Sequence, residues 1–497
     1  MNAQSPESAY GSLVEHSREL TWTAGLQALL DWDQEVNMPP AGAQSHAEMS
    51  GIIARIVHRK AVDERVDGWL EAAALKTDWP LVEAANIREW KRDYDKARKL
   101  PEEFVKKQAE VTARAYHVWR DARETDDFGV FAPTLAEVVD LAKQEADYYG
   151  WKDERYDALL DLFEPELTTS WCEALFADLR AELTPMVKRI VAGQGPAPGP
   201  FGAAEFPVEV QAEFCERVSA ALGFDFYAGR LDQTIHPFTT GIAAGDARIT
   251  TNCTTSDPLD SLSSTIHETG HGIYEQGVSF DGTPAGQACS TAVHESQSRL
   301  YENEVGRGDA FWRYWQPAFN AQYGTDSSVD DLLRRVTRVE PGLIRTRADE
   351  VTYNLHVIVR FEIERDLFRD ELEVADIPRV WRQKYQDCLG VDVPGDLDGA
   401  LQDVHWANGL LGYFPTYTLG NVYAAQLFDA ARREIPGLEN AIATGDFKPL
   451  RDWMAEKIYR WGRVYTPERL IENATGSPVS TCFFIEYLKA RYLRQKG

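Results

Sequence analysis

The sequence predicts a large, mainly α-helical body with one small β-sheet. Three observations predict it. Long stretches set apolar residues at helical spacing among Glu, Lys, Ala and Arg. One stretch, 234–252, is instead rich in Thr, Ile and Gly. The chain has 497 residues, of which 44% are apolar and 26% charged, a globular composition long enough to bury a core without disulfide staples.

The helical stretches run over 101–125, 135–149, 169–191, 208–222 and 351–372, with Pro and Gly between them. In the first, Phe104, Val105, Ala109, Val111, Ala115 and Trp119 are expected to share a buried face. The run AGQGPAPGPFG at 192–202 must be loop; a domain linker and a surface loop between two helices are both open. The alternation in Ala247-Arg248-Ile249-Thr250-Thr251 reads as a hairpin or small sheet just before the segment that carries the chemistry.

Acidic side chains number 79 and basic ones 52, a formal net charge of −27. Such a surface repels phosphate and anionic lipid, which argues against nucleic-acid and membrane partners. No run of 18 apolar residues exists. The first residues have neither a basic nor an apolar signal region, so a cytoplasmic location is expected. The six cysteines are scattered without a CxxC pair and read as ordinary thiols.

The segment Ser261–Gly277 contains His267-Glu268-Thr269-Gly270-His271, an HExxH pattern. On a helix, residues four apart sit about 40° apart in rotation and about 6 Å apart along the axis. Two imidazoles so placed converge on one cation, and Glu268 reaches water beside it. Leu262 and Ile266 lie where a buried helix would pack. Gly270 and Gly272 each cost a helix about 1 kcal/mol, which is easier to explain where another backbone or a substrate comes close. A third ligand is required. Tyr274 and Gly277 stand where an extended HExxHxxGxxH motif needs Gly and His, so that class is excluded. Glu275 continues the series one turn on and reads as a support or a solvent-facing group. Glu295, 24 residues after His271, leads on spacing, with Glu302 and Glu304 as rivals. One divalent ion per chain is implied, Zn²⁺ first, with Co²⁺ and Mn²⁺ accepting the same donors.

Five motifs then carry a resemblance. They are Asp246-Ala247-Arg248-Ile249-Thr250 (DxRxT), His267 to His271 (HExxH), His294 to Gln297 (HESQ), Ile344 to Asp349 (IRxxAD) and Gly399 to Trp406 (GxxQDxHW), spread over about 160 residues. In this order, with no departure at a defining position, they resemble the carboxypeptidase Taq family of metallocarboxypeptidases. The resemblance covers most of the chain. It implies one zincin-like helical domain over 1–497 with a central substrate cleft, the N-terminal helices forming one wall and the small sheet lying next to the HExxH helix. It also implies a homodimer, Glu295 as third ligand, and removal of single C-terminal amino acids from peptides with broad specificity.

A free α-carboxylate is matched by the planar fork of arginine. Arg248 and Arg345, each in a motif, are therefore expected to bind the peptide's C-terminus. His405 and Tyr417 are candidate donors to the developing oxyanion, with Tyr413 and Tyr423 open in place of the latter. His236 lines the pocket or fixes the turn before Pro237. His16, His46, His58, His117 and His356 have no partner pattern and read as structural or surface residues. The alternative activity is an endo-acting zinc oligopeptidase of the related helical type, which needs no arginine clamp.

Overall fold

The computed structural model describes residues 4–199, 201 and 205–493. In chain order the helices are α1 (Pro6–Val36), α2 (Ala43–Ala61), α3 (Arg65–Ala74), α4 (Leu81–Lys99), α5 (Glu102–Thr125), α6 (Phe128–Tyr149), α7 (Asp157–Phe163), α8 (Thr169–Gly193) and α9 (Val208–Leu222). Three strands follow, β1 (Gly229–Gln233), β2 (Thr239–Ala243) and β3 (Asp246–Thr251). Then come α10 (Pro258–Gly277), α11 (Thr291–Arg299), α12 (Asp309–Tyr323), α13 (Val329–Val336), α14 (Tyr353–Phe368), α15 (Ile377–Leu389) and α16 (Pro415–Glu434). Shorter helices end with Thr481–Tyr492. The fold is mainly helical with one small sheet, as the sequence predicts. No helix among the described residues is long and apolar enough to cross a membrane, and all six cysteines are free thiols.

The chain groups into two compact units. The first comprises Met1–Arg98, Pro198–Val336 and Leu427–Pro478. Ala9 and Leu13 of α1, Val66, Leu70 and Ala73 of α3, and Trp90 and Tyr94 of α4 form one of its apolar clusters. The sheet has the order β1-β3-β2, with β1 parallel and β2 antiparallel to β3. Gly245, at φ +78°, makes the β2–β3 turn. Residues 247, 249 and 251 face α10: the Ile249 methyl lies against Gly272, and Thr265 donates to the Thr251 hydroxyl at 2.8 Å.

The second unit comprises Lys99–Ala197, Thr337–Gln426 and Val479–Gly497. Phe104, Val111, Ala115 and Ala122 bury one stripe of α5, while Leu135, Val138, Val139 and Ala142 are buried on α6. The Phe176 and Phe361 rings of α8 and α14 meet edge to face at 4.9 Å.

Four expectations need correction. Ala109 is exposed, because the buried stripe of α5 passes through Val111 instead. α6 begins at Phe128 rather than Leu135. Proline suggests a helix boundary, yet the Asp127 carboxylate accepts from Gly129 N–H at 2.8 Å, and Phe128 and Phe131 are buried; together these hold the turn before Pro133. In the loop expected at 192–202, Ala192 and Gly193 close α8, with Gln194 N–H bonding Ile190 C=O. Positions 200 and 202 of that loop lie outside the described residues. α14 starts at Tyr353 and ends at Phe368, inside the stretch 351–372, with Asp370 beyond it at φ +57°.

Gly270 shows why α10 tolerates glycine. A Cβ there would lie 2.5 Å from Gln297 O and 2.7 Å from Ser298 Cα, backbone atoms of α11 that cannot yield singly. Gly270→Ala gains about 1 kcal/mol in helix propensity but overpacks this contact. The expected net loss is about 1–3 kcal/mol, read as a lower denaturation midpoint in urea. An unchanged or raised midpoint would show that the two helices can separate at no cost.

Candidate active site

The first unit builds a ligand cluster from two helices. Asp257 caps α10, its carboxylate accepting from Leu259 N–H at 2.8 Å, with Pro258 in the first turn. Ser290 caps α11 in the same way, accepting from Val293 N–H at 3.1 Å. The Gly270 contact presses the two helices together. Ligand atoms of His267, His271 and Glu295 then all lie within 4.8 Å of one another, and His271 Nε2 is 3.5 Å from Glu295 Oε2. Two imidazoles and one carboxylate suit a divalent ion of the zinc type. Of the three candidate carboxylates, Glu295 is the one that joins this cluster among the described residues. Glu304 is buried nearby on the chain but is not in the cluster.

Glu302 has a different task. It lies on a π-helical turn, Leu300–Gly306, that continues α11. Its Oε2 accepts from His267 Nδ1 at 2.9 Å, which leaves Nε2 of that ring as the ligand atom. Arg299 bridges the two carboxylates, donating to Glu295 Oε1 at 2.7 Å and to Glu302 Oε2 at 3.2 Å. Arg307 donates to Glu302 Oε1 at 2.9 Å. Behind His271, its Nδ1 meets His294 Nδ1 at 2.6 Å, and His294 Nε2 donates to Glu275 Oε1 at 2.7 Å. Glu275 is therefore a support and not solvent-facing.

Electrostatics follow burial and these partners. Burial pushes His271 down to about 3, so its ring stays neutral and able to bind a cation. Burial opposes a charge on His267, but the Glu302 hydrogen bond and the Glu295 charge raise it overall. Burial also opposes charge on Glu295 and Glu302; Arg299 with the neighbouring imidazoles holds both well below the usual carboxylate range. Glu268 goes the other way. Burial raises it, against the His267 charge and a hydrogen bond from the Thr239 hydroxyl. That hydroxyl lies 2.6 Å from Glu268 Oε2, so β2 fixes the carboxylate beside the ligands.

Also in this unit, Arg248 stands on β3. Its Nε and Nη2 donate to Asp246 at 2.9 and 2.8 Å, and its guanidinium stacks 4.2 Å from the Trp32 ring centre. Strand alternation directs it to the sheet face opposite the one packed on α10. His236 is exposed in the connection between β1 and β2.

The second unit holds the other expected residues. Arg345 is 5% exposed. Its Nε and Nη2 donate to Asp403 Oδ1 at 3.0 and 2.8 Å, and its Nη1 to the Tyr353 hydroxyl at 2.9 Å. Arg360, fully buried, donates to the other Asp403 oxygen at 2.6 Å. The Tyr417 ring lies 4.8 Å from the Arg345 guanidinium, and its hydroxyl is 3.0 Å from His405 Nε2. His405 and Tyr417 thus form one hydrogen-bonded pair. Of the rival tyrosines, Tyr423 bonds Glu164 at 3.0 Å, and Tyr413 packs edge-on against Phe163 at 5.0 Å. Burial and the Arg345 charge push His405 down to about 3.

Sequence reasoning passed over Arg299, Thr239, Arg360 and the support given by His294. Only Arg299 leaves a local signal, since it stands four residues after Glu295 on one helix face.

A helical body with an HExxH helix met by a distant glutamate defines a metal-dependent peptidase. Comparison with known proteins narrows the class. The profile described as carboxypeptidase Taq (M32) metallopeptidase matches residues 12–492. Thermostable carboxypeptidase 1 of Thermus thermophilus is 42% identical over 99% of this chain and 100% of its own. The crystal structure of an M32 carboxypeptidase from Deinococcus radiodurans superposes with a TM-score of 0.94 at 40% identity, covering 97% of this chain and 98% of that one. Trypanosoma cruzi metallocarboxypeptidase 1 gives a TM-score of 0.95 at 34% identity, over 98% and 99% of the two chains. The chain belongs to the carboxypeptidase Taq (M32) family. It is a metallocarboxypeptidase, a hydrolase that uses a divalent metal ion.

Arg299 is the side chain whose loss should be felt most in the metal-free protein. Arg299→Met leaves two buried carboxylates short of a partner, an expected cost of about 3–5 kcal/mol. A bound divalent ion replaces part of the lost charge. Thermal unfolding should therefore show a larger metal-induced rise in Tm for Arg299→Met than for the wild type. Equal rises would mean that Arg299 does not neutralise the ligand cluster.

Proposed function

We propose that the enzyme removes single C-terminal amino acids from peptides, with broad specificity, using Zn²⁺ and a glutamate general base. The reading is carried by Glu268: a buried carboxylate, next in sequence to one ligand and aligned by a threonine hydroxyl. A zinc ion held by His267, His271 and Glu295 would supply an acidified water and polarise the scissile carbonyl. Glu268 takes the proton of the attacking water and delivers it to the leaving amine. Its raised affinity for protons suits that shuttle.

Arg345 and Arg248 are assigned the peptide's terminal carboxylate. Arg345 and Arg360 share a single carboxylate, Asp403, so their cluster retains an excess positive charge that an anionic chain end would neutralise. The His405 and Tyr417 pair is assigned donation to the oxyanion. His236 is assigned to the pocket edge. In this reading the enzyme is one metallocarboxypeptidase domain that works as a cytoplasmic homodimer on peptides with a free C-terminus.

The test is a mass-resolved time course on one unstructured peptide, free acid beside C-terminal amide, with zinc-loaded and chelator-stripped protein. A ladder of single losses is expected, only from the acid and only with metal. Internal cuts in both peptides would identify an endo-acting oligopeptidase and remove the clamp roles. Glu268→Gln should keep its zinc yet lose about 100- to 10,000-fold in kcat; undiminished hydrolysis would sink the general base.

His405 supplies a pH test with a definite sign. With its ring pushed down to about 3, it is neutral throughout the neutral range and takes up no proton until far below it. His405→Gln should therefore lower kcat by on the order of 100-fold while leaving the acidic limb of kcat/KM where the wild type has it. A displaced limb would assign that titration to His405 and overturn its role as a neutral donor.

A further inference from the structure

We infer that the metal affinity of this enzyme is set by a line of support that begins on the small sheet: Gly241 of β2 leaves room for the Glu275 carboxylate, Glu275 holds His294, and His294 holds the ligand His271. The inference rests on the metal reading of His267, His271 and Glu295 and goes beyond it.

Gly241 needs an explanation. It is not among the glycines with positive φ, and it stands where the β2–β3 register shifts between Gly241 and Ala243. Glycine inside a strand also costs entropy and packing. The space around it supplies the reason. A Cβ at Gly241 would stand 2.3 Å from Glu275 Oε2 and 3.0 Å from Glu275 Cδ, with the Phe280 ring next at 3.4 Å. The obstructing atom is the end of a flexible side chain. An alanine is therefore expected to displace the Glu275 carboxylate first.

That carboxylate is committed. Its Oε1 accepts from His294 Nε2 at 2.7 Å, and His294 Nδ1 lies 2.6 Å from His271 Nδ1. For His271 to offer Nε2 to a cation, its Nδ1–H must donate to His294. His294 then accepts at Nδ1 and donates from Nε2 to Glu275. One arrangement of hydrogens satisfies every link, and it fixes both the tautomer and the ring plane of the ligand. The His294 ring is also packed between His271 and Tyr274, at centroid distances of 4.6 and 5.2 Å.

The two ligand histidines are thus supported unequally. His267 leans directly on Glu302, which two guanidiniums hold. His271 leans on an intermediate imidazole and on a carboxylate whose position depends on a missing methyl group. The second line is the one that a single added carbon can break.

The experiment titrates metal-free protein with Zn²⁺ against a fluorescent chelator, for the wild type, Gly241→Ala, Glu275→Ala and the double variant. Thermal unfolding of the metal-free forms is recorded alongside. Glu275→Ala and Gly241→Ala should each weaken Zn²⁺ binding by about 10- to 100-fold. Gly241→Ala should lower the metal-free Tm no further than Glu275→Ala does, since both break the same buried hydrogen bond. In the Glu275→Ala background, Gly241→Ala should add nothing, since the group it displaces is gone. Wild-type affinity in both single variants, or full additivity in the double, would overturn the inference and leave the metal site standing. A wild-type chain that captures none of Zn²⁺, Co²⁺ or Mn²⁺ would overturn the metal reading together with the inference.

Discussion

The functional architecture depends on one close approach, the meeting of α10 and α11 at Gly270. There the backbone of one helix lies against the backbone of the other, at a position where a methyl group has no room. This contact brings Glu295, 24 residues downstream, against two histidines that a single helix already aligns. It also brings the π-helical turn after α11 within reach of His267, so that Glu302 meets Nδ1 of that ring. Ligand and support come from one continuous segment. The spacing of Glu295 and Glu302 along it decides which carboxylate joins the two histidines and which stands behind an imidazole.

Much of this was legible in the sequence, and the exceptions have physical causes. HExxH is a local pattern, and a helix converts its spacing directly into geometry. The long helices α5, α8 and α9 were legible because their own apolar periodicity survives burial. β1 was not, since Gly229-Arg230-Leu231-Asp232-Gln233 shows no alternation of burial that marks a strand; pairing with β3 makes it one. The first turns of α6 were hidden by Pro133. The supports around the ligands were hidden for another reason. Glu302 lies 35 residues from the ring it holds, and Thr239 lies 29 residues from the carboxylate it aligns. Hydrogen bonds at such separations leave no periodic trace. Gly241 carries no motif at all, and only the atoms around it give its identity a reason.

The electrostatics of the two units complete the argument. In the first, four carboxylates stand on or behind the ligands, those of Glu268, Glu275, Glu295 and Glu302, and all are buried or nearly so. Two guanidiniums, of Arg299 and Arg307, oppose them. The cluster gathers more carboxylates than guanidiniums away from bulk water, an arrangement that a divalent cation would relieve. In the second unit Arg345 and Arg360 both pair with the buried carboxylate of Asp403. Neither cluster is arranged as stability alone would arrange it, since an unequal count of buried charges destabilises the empty protein. Under the proposed function, the first cluster takes a metal ion and the second a peptide's terminal carboxylate. The surface as a whole is strongly acidic, so the buried positive excess around Arg345 stands against the sign of the molecule. If the proposed clamp is right, that contrast would give an anionic chain end a local reason to bind a protein whose overall charge repels it.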